Sequence, residues 1–273
     1  MRQEKEEVML RTGIVGYGHM GSAIAGHLVN AGYPVAVVDT SSEQQDMARA
    51  AGIDVVADVS ELAELCDVAL ILVGSESVVR ELIDDHGPFS APGDRKTVVC
   101  VVSTVDPMIL RQPRSLANEG RLVDAPVCRA LEAAVEGTLL GLLAGNDEAV
   151  SIVKPVFQSF CSDIWQVSDR LGDAQVVKTV NNVMLWGDFM VTEEALQLAR
   201  DEGIDIPALF SALKMSSADS WALRHFDSAG ELPWSKKDMM IAMQIADRLN
   251  KPVPLTRLVS GLVRSSAYLG HAT

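Results

Sequence analysis

Two groups of residues in this chain have the types and spacing to do chemistry. The first is Gly16-Tyr17-Gly18-His19-Met20-Gly21, three glycines in an order that lets a strand turn sharply into a helix. In such a turn Gly16 permits the bend, Gly18 lets the backbone approach a pyrophosphate, and Gly21 lets the helix pack close to the strand. The helix N-terminus then meets the anion with free N–H groups. The second group is Lys178 and Asn182, four residues apart and therefore on one face of a helix. A lysine held beside a carbonyl oxygen can give a proton as hydride reaches the carbon and take it back in the reverse direction, while Asn182 orients the oxygen or the ammonium. A glycine turn can be no more than a turn, and a helical lysine is most often a solvated charge. Both acquire meaning from the elements that position them.

Short runs rich in Val and Ile alternate with helix-length amphipathic stretches as far as about residue 166, the pattern of βα units around a parallel sheet. Strands are predicted over 9–15, 35–39, 68–73, 97–102, 121–124, 139–144 and 163–167. The unbroken apolar run Val68-Ala69-Leu70-Ile71-Leu72-Val73 implies burial on both sheet faces. The fold class is therefore α/β, with a doubly wound Rossmann-type domain over 1–170. Residues 172–202 contain no Pro, keep apolar positions at helical spacing and stop at Gly203, so one long helix should lead into a smaller all-α domain over 171–273. Further helices are predicted at 207–214, 236–249 and 255–267, with Pro207, Pro233, Pro252 and Pro254 marking turns.

In this frame the glycine turn follows the first strand and opens a helix. The second strand ends at Asp39, about 20 residues past the first glycine, where a carboxylate can accept hydrogen bonds from an adenine ribose. Thr40, Ser41 and Ser42 follow without a cation for a 2′-phosphate, which favours NAD over NADP. Tyr17, His19 and Met20 in the turn, Thr40, Val73 at the end of the third predicted strand, and Ser103 beyond the fourth complete the expected cofactor surface. Asp39 read without the cofactor is a strand-end turn residue or a helix cap.

The chain has 273 residues and a formal net charge of −14, which argues against nucleic acid, since phosphate binding needs a basic surface. Cys66, Cys100, Cys128 and Cys161 are widely spaced, with no CxxC pair and no metal-ligand spacing among them and the histidines, so they read as reduced thiols and no metal is expected. His27, His86, His225 and His271 are isolated. Residues 1–7 are charged and the apolar run over 8–15 is broken by Arg11, so neither a signal peptide nor a membrane partner is expected and the reading is cytoplasmic. Trp186, Trp221 and Trp234 read as core or subunit-interface anchors, and Met239-Met240-Ile241-Ala242-Met243 as an adaptable packed helix.

Five motifs occur in a fixed order: Gly16 to Gly21; Ser103-Thr104-Val105; Asp124-Ala125-Pro126-Val127 with Gly137-Thr138-Leu139; Gly172 through Lys178 to Asn182; and Lys237-Asp238. Together they resemble the 3-hydroxyisobutyrate dehydrogenase (β-hydroxyacid dehydrogenase) family, more distantly 6-phosphogluconate dehydrogenase, over nearly the whole chain. The resemblance implies that Lys178 is the general acid/base assisted by Asn182, that Ser103 and Thr104 lie near nicotinamide and substrate, and that Lys237 contacts cofactor or substrate. It also implies hydride transfer between NAD and a small anionic 3-hydroxy acid or its semialdehyde, and the apolar helical domain, small for its length of helix, is expected to pack against another subunit in a homodimer or homotetramer. Where most relatives continue Asp-Ala-Pro-Val with Ser-Gly-Gly, this chain has Cys128-Arg129-Ala130. That loop is similar to the sulfolactaldehyde reductase branch, and Arg129 reads either as a fork for a substrate carboxylate, sulfonate or phosphate or as a surface arginine capping a helix or pairing with Glu132. Cys128 reads as a small packing residue beside the substrate. The alternatives are a reductase for a sulfonated or larger aldehyde and a catalytically silent NAD-binding protein. An imine reductase shares the fold but usually lacks the lysine. Asp39→Arg is expected to weaken NAD use in steady-state assays; unchanged NAD kinetics would move the ribose contact to another residue.

Overall fold

The structure is a computed structural model and describes residues 9–90, 96–226 and 234–265. Residues 1–7, Pro233, the predicted helix end at 266–267 and His271 lie outside the described residues. The chain divides into two compact units, Met1–Lys178 and Thr179–Thr273.

The first unit alternates β1 (Thr12–Val15), α1 (His19–Asn30), β2 (Val35–Val38), α2 (Ser42–Ala50), β3 (Asp54–Val55), α3 (Val59–Leu65), β4 (Val68–Ile71), α4 (Glu76–Ile83), β5 (Val98–Val101), α5 (Pro107–Arg111), α6 (Ser115–Asn118) and β6 (Leu122–Asp124). It continues with β7 (Val127–Cys128), α7 (Ala130–Glu136), β8 (Leu139–Gly145), α8 (Asp147–Phe157) and β9 (Cys161–Ser168). The sheet runs β3-β2-β1-β4-β5-β6-β8-β7, with β9 paired to β8. Register aligns Val37, Ile14, Leu70, Cys100 and Val123 in one row and Val38, Val15, Ile71, Val101 and Asp124 in the next. Because successive strand residues point to opposite faces, the first row meets α1, α7 and α8 through Ile24, Leu28, Ala134, Val153 and Phe157. The second meets α3 to α6 through Leu62, Val79, Ile109 and Leu116. Helices thus cover both faces, as the apolar run at 68–73 predicts.

The sheet departs from all-parallel at its far side. β8 is antiparallel to both β6 and β7 and parallel to β9. Pro126 has no N–H to give the ladder, although its carbonyl still accepts from Leu142 N at 3.0 Å, so β6 and β7 are one strand course interrupted at Ala125-Pro126. The short α7 then folds back and β8 returns beside it. β3 and β7 are two residues each and carry no periodic signal of their own.

The second unit takes up α9 (Asp173–Asp201) from its seventh residue and adds α10 (Ile206–Leu213), α11 (Trp221–Arg224), α12 (Ser235–Arg248) and α13 (Pro254–Ser265). Trp186, Phe189, Met190, Met239, Val259 and Val263 form its main core, and Trp186 Nε1 donates to the buried Asp238 carboxylate at 3.1 Å. Trp221 and Trp234 are partly exposed. No helix among the described residues is long and apolar enough to cross a membrane.

Phe157 is fully buried, with its ring 4.9 Å from that of Phe160. Phe157→Ala is expected to lower stability by about 3–5 kcal/mol in urea unfolding, whereas Trp165→Ala on the exposed edge of β9 should stay within about 0.5 kcal/mol of the parent. Equal losses would contradict the burial described.

Candidate active site

Parallel strands end together, and the row Val38, Val15, Ile71, Val101 and Asp124 marks the edge where the first unit's loops converge. Strand order reverses between β1 and β4, which is where open α/β sheets bind ligands. Gly16 turns there with φ +99°, and a Cβ on it would meet the Leu72 carbonyl oxygen at 2.5 Å. A Cβ on Gly21 would lie 2.1 Å from the Gly16 carbonyl oxygen, whereas around Gly18 there is nothing within 4 Å. No side chain caps α1 and its first turn carries no acid. Those features fit a pyrophosphate: close packing behind the turn, open space in front of it, and free helix N–H groups facing that space.

Asp39 accepts from Tyr17 N at 2.6 Å through Oδ2 and from Ser41 N at 2.8 Å through Oδ1. The carboxylate is thereby fixed against the glycine turn, with lone pairs left for ribose hydroxyls. Ser103 is held at the strand ends by its own hydroxyl. Its hydroxyl engages the carbonyls of Ile71 (3.1 Å) and Val73 (2.8 Å) and accepts from Val73 N (2.9 Å), stapling the end of β4 to the loop after β5. Val73 and Ser103 are thus brought together, with the half-buried Thr104 beside them.

The head of α9 is tied to the same edge. Gln175 N donates to Asp124 Oδ2 at 3.2 Å, and the N–H groups of Gly172 and Ala174 also face that carboxylate. The Gln175 side chain donates to the Ser103 carbonyl and accepts from Val105 N, each at 3.0 Å. Asp173 receives hydrogen bonds from Arg111 (2.8 Å), Ser168 (2.9 Å) and Arg170 (2.8 Å). Burial would raise the Asp173 carboxyl, but these donors outweigh it and hold the group below the ordinary carboxylate range.

Five residues past Asp173, Lys178 emerges half-buried beside an apolar cluster of Cys128, Leu142, Ala144 and Ala174, with Val177 packed against it. Its ammonium reaches the Cys128 thiol. Burial pushes that thiol up, and Lys178 and Arg129 pull it partly back. The other cysteines are buried and form no disulfide, and burial pushes Cys161 up to about 12. Asn182, one helical turn beyond Lys178, is buried, and its Oδ1 accepts from Asn181 Nδ2 at 3.0 Å. In the second unit, Lys237 lies in the first turn of α12, half-buried beside the buried Asp238.

Arg129 (φ +86°) and Ala130 (φ +61°) both occupy the left-handed region. Glycine adopts that conformation freely and other residues pay about 1 kcal/mol or more, which accounts physically for Gly-Gly as the usual pair in relatives. The Arg129 guanidinium pairs with Asp163 at 2.7 Å and also donates to Ser162 Oγ and the Thr138 carbonyl. His27 reaches the carbonyls of Ala134 and Val135 at 3.0 Å each. Among the described residues no group of three His, Cys, Asp or Glu side chains could hold a metal ion.

Comparison with known proteins fits this geometry. Residues 11–169 match the family described as the NAD binding domain of 6-phosphogluconate dehydrogenase, and residues 172–272 match the NAD-binding domain of NADP-dependent 3-hydroxyisobutyrate dehydrogenase. The NAD-dependent L-serine dehydrogenase of Pseudomonas aeruginosa is 31% identical, with 97% of this chain and 94% of that protein covered. The chain belongs to the 3-hydroxyisobutyrate dehydrogenase family of NAD-dependent hydroxyacid dehydrogenases. The mitochondrial 3-hydroxyisobutyrate dehydrogenase of Drosophila melanogaster is 28% identical over 93% of this chain and 83% of its own. Among solved structures, the Mycobacterium tuberculosis 3-hydroxyisobutyrate dehydrogenase with L-serine shares the fold at a TM-score of 0.82 and 22% identity, covering 97% of each chain.

In this member of the 3-hydroxyisobutyrate dehydrogenase family, three residues of the network escape a motif reading. Asp124 and Gln175 have a sequence signal only as members of Asp-Ala-Pro-Val and of the Gly172 to Asn182 motif, with no role of their own, and Asp163 lies in no motif. Complete burial pushes the Asp124 carboxyl up to about 7, against the opposing pull of the Gln175, Gly172 and Ala174 donors. An unfolded aspartate titrates near 3.9, so between about pH 4 and 7 the folded chain holds the extra proton and stability falls as pH rises. Asp124→Asn carries no such titration. Its urea midpoint relative to the parent is expected to rise from pH 5 to pH 8, and parallel midpoints would show that Asp124 titrates normally.

Proposed function

We propose that the protein oxidises a small anionic 3-hydroxy acid of the L-serine or 3-hydroxyisobutyrate kind, or reduces the matching semialdehyde, with Lys178 as general acid/base. The observation that carries this reading is the placement of Lys178: a half-buried ammonium on a helix whose first turn is anchored to the carboxyl end of the sheet, beside the loop at Cys128. Bound NAD, held by the turn Gly16 to Gly21 and by Asp39, supplies the hydride acceptor. Lys178 takes the hydroxyl proton as the carbon–hydrogen bond breaks and returns it to the carbonyl oxygen in the reverse direction. The apolar cluster around Cys128 excludes water from one side of the ammonium, and the loop at 128–130 receives the acid group of the substrate. The roles of Asn182, Thr104 and Lys237 rest on the family resemblance.

Asp39 beside the glycine turn, followed by residues without positive charge, supports NAD as the working cofactor. The engagement of Arg129 with Asp163 favours a carboxylate substrate over one selected by a free guanidinium. A second copy of the chain is the proposed cover for Met184, Val191 and Leu198, exposed at seven-residue intervals along α9, giving a homodimer or homotetramer.

The test is NADH formation from L-serine, 3-hydroxyisobutyrate, glycerate, 4-hydroxybutyrate and 2,3-dihydroxypropanesulfonate, with matched NADP reactions. Lys178→Ala should lower kcat by about 100-fold or more on the preferred acid while NAD binding stays near the parent value. Near-normal turnover would remove the lysine from the chemistry, and preference for the sulfonate would overturn the carboxylate assignment.

A further inference from the structure

Among the described residues, three outside glycine have φ in the left-handed region: Arg129, Ala130 and Asn250. Two of these are adjacent, and they form the turn between β7 and α7. A strained turn persists only where its surroundings over-determine it, and here one side chain ties it to two other segments. Arg129 is the residue immediately before α7, yet its Nη1 reaches the Thr138 carbonyl just beyond the other end of that helix, at 2.9 Å. The same nitrogen meets Ser162 Oγ at 2.8 Å and Asp163 Oδ2 at 2.7 Å on β9, and Ser162 Oγ itself donates to that carboxylate at 2.8 Å. Both ends of α7 are thereby fastened to one strand. These donors hold the Asp163 carboxyl below its ordinary range, so the pair stays ionised at neutral pH.

We propose that Arg129, Ser162 and Asp163 form a latch that holds the turn at 129–130 in its left-handed conformation, so that Arg129 and Asp163 are positioning residues for substrate binding. This rests on the reading of 128–130 as the substrate loop. In that role the guanidinium acts through the backbone it fixes. Cys128, the residue before the turn, pairs with Leu140 of β8 and lies against Lys178, so the orientation of the chain leaving β7 sets where the loop stands relative to the lysine.

The latch and a direct contact between Arg129 and substrate differ in what Asp163 should do. Arg129→Ala, Asp163→Asn, the double variant and Arg129→Gly can be compared by amide hydrogen exchange of residues 128–132 and by kcat and KM on the preferred acid of the panel. Exchange is expected to quicken by about two- to fivefold in each of the first two variants, with the double variant no faster than the faster single, because both break one device. KM should rise to a similar extent in all three, with kcat within about twofold of the parent. Arg129→Gly should lose less than Arg129→Ala, since glycine adopts the left-handed turn without strain. Unchanged exchange in Asp163→Asn would overturn the latch. So would a raised KM in Arg129→Ala with Asp163→Asn at parental KM, which would make Arg129 a substrate ligand. Exchange is read without substrate, so failure of the catalytic reading, seen as Lys178→Ala keeping its turnover, would leave the exchange result to stand or fall alone.

Discussion

The first turn of α9 has to be held to the sheet before anything else in the site can work. A 29-residue helix is stiff, and a lysine five residues from its start goes wherever that start goes. The chain fixes it by burying one carboxylate, Asp124, at the end of a strand and facing it with the amide N–H groups that a helix leaves unpaired. Burying a charge is unfavourable and helix amides partly offset that, so the carboxyl settles near neutrality instead of remaining a full anion. The surrounding ties, Gln175 to Ser103 and Val105, and Arg111 to Asp173, make the attachment one of orientation as well as distance.

The cofactor side and the proton-transfer side share loops. Ser103 holds the loop after β5 to the end of β4 through its hydroxyl and offers its carbonyl to Gln175 of α9. One residue thus links the strand ends beside the glycine turn to the helix that carries Lys178. Asp39 does the equivalent on the other flank, bracing the glycine turn through Tyr17 N. Polar residues at the strand ends thus hold loops at fixed distances.

The sequence made the α/β class, the long helix and the cofactor turn legible because each rests on a local pattern. Alternating and unbroken apolar runs set the strands, and a strand followed by Gly16, Gly18 and Gly21 has few other uses. The reversal of β8 was not legible, since it depends on Pro126 breaking a ladder whose partner strand lies further along the chain. The pairings of Asp163 and Gln175 are hidden for the same reason: their partners, Arg129 and Ser103, are 34 and 72 residues away. Arg129 stood out by type and position, but type alone does not say which way a guanidinium turns. The left-handed backbone at 129–130 could be read from the family's Gly-Gly, yet not the contacts that sustain it here.

The Gln175 amide cannot be exchanged for an acid. Its side chain donates to one carbonyl and accepts from one amide in the same pose, which an amide can do and a carboxylate cannot. Hydrolysis to glutamate would replace the donor by a carboxylate oxygen and set lone pairs against the Ser103 carbonyl. Gln175 is fully buried, so the water such ageing chemistry needs is kept away by the packing the residue itself completes. The amide that orients the head of α9 is in this way shielded by the packing it completes.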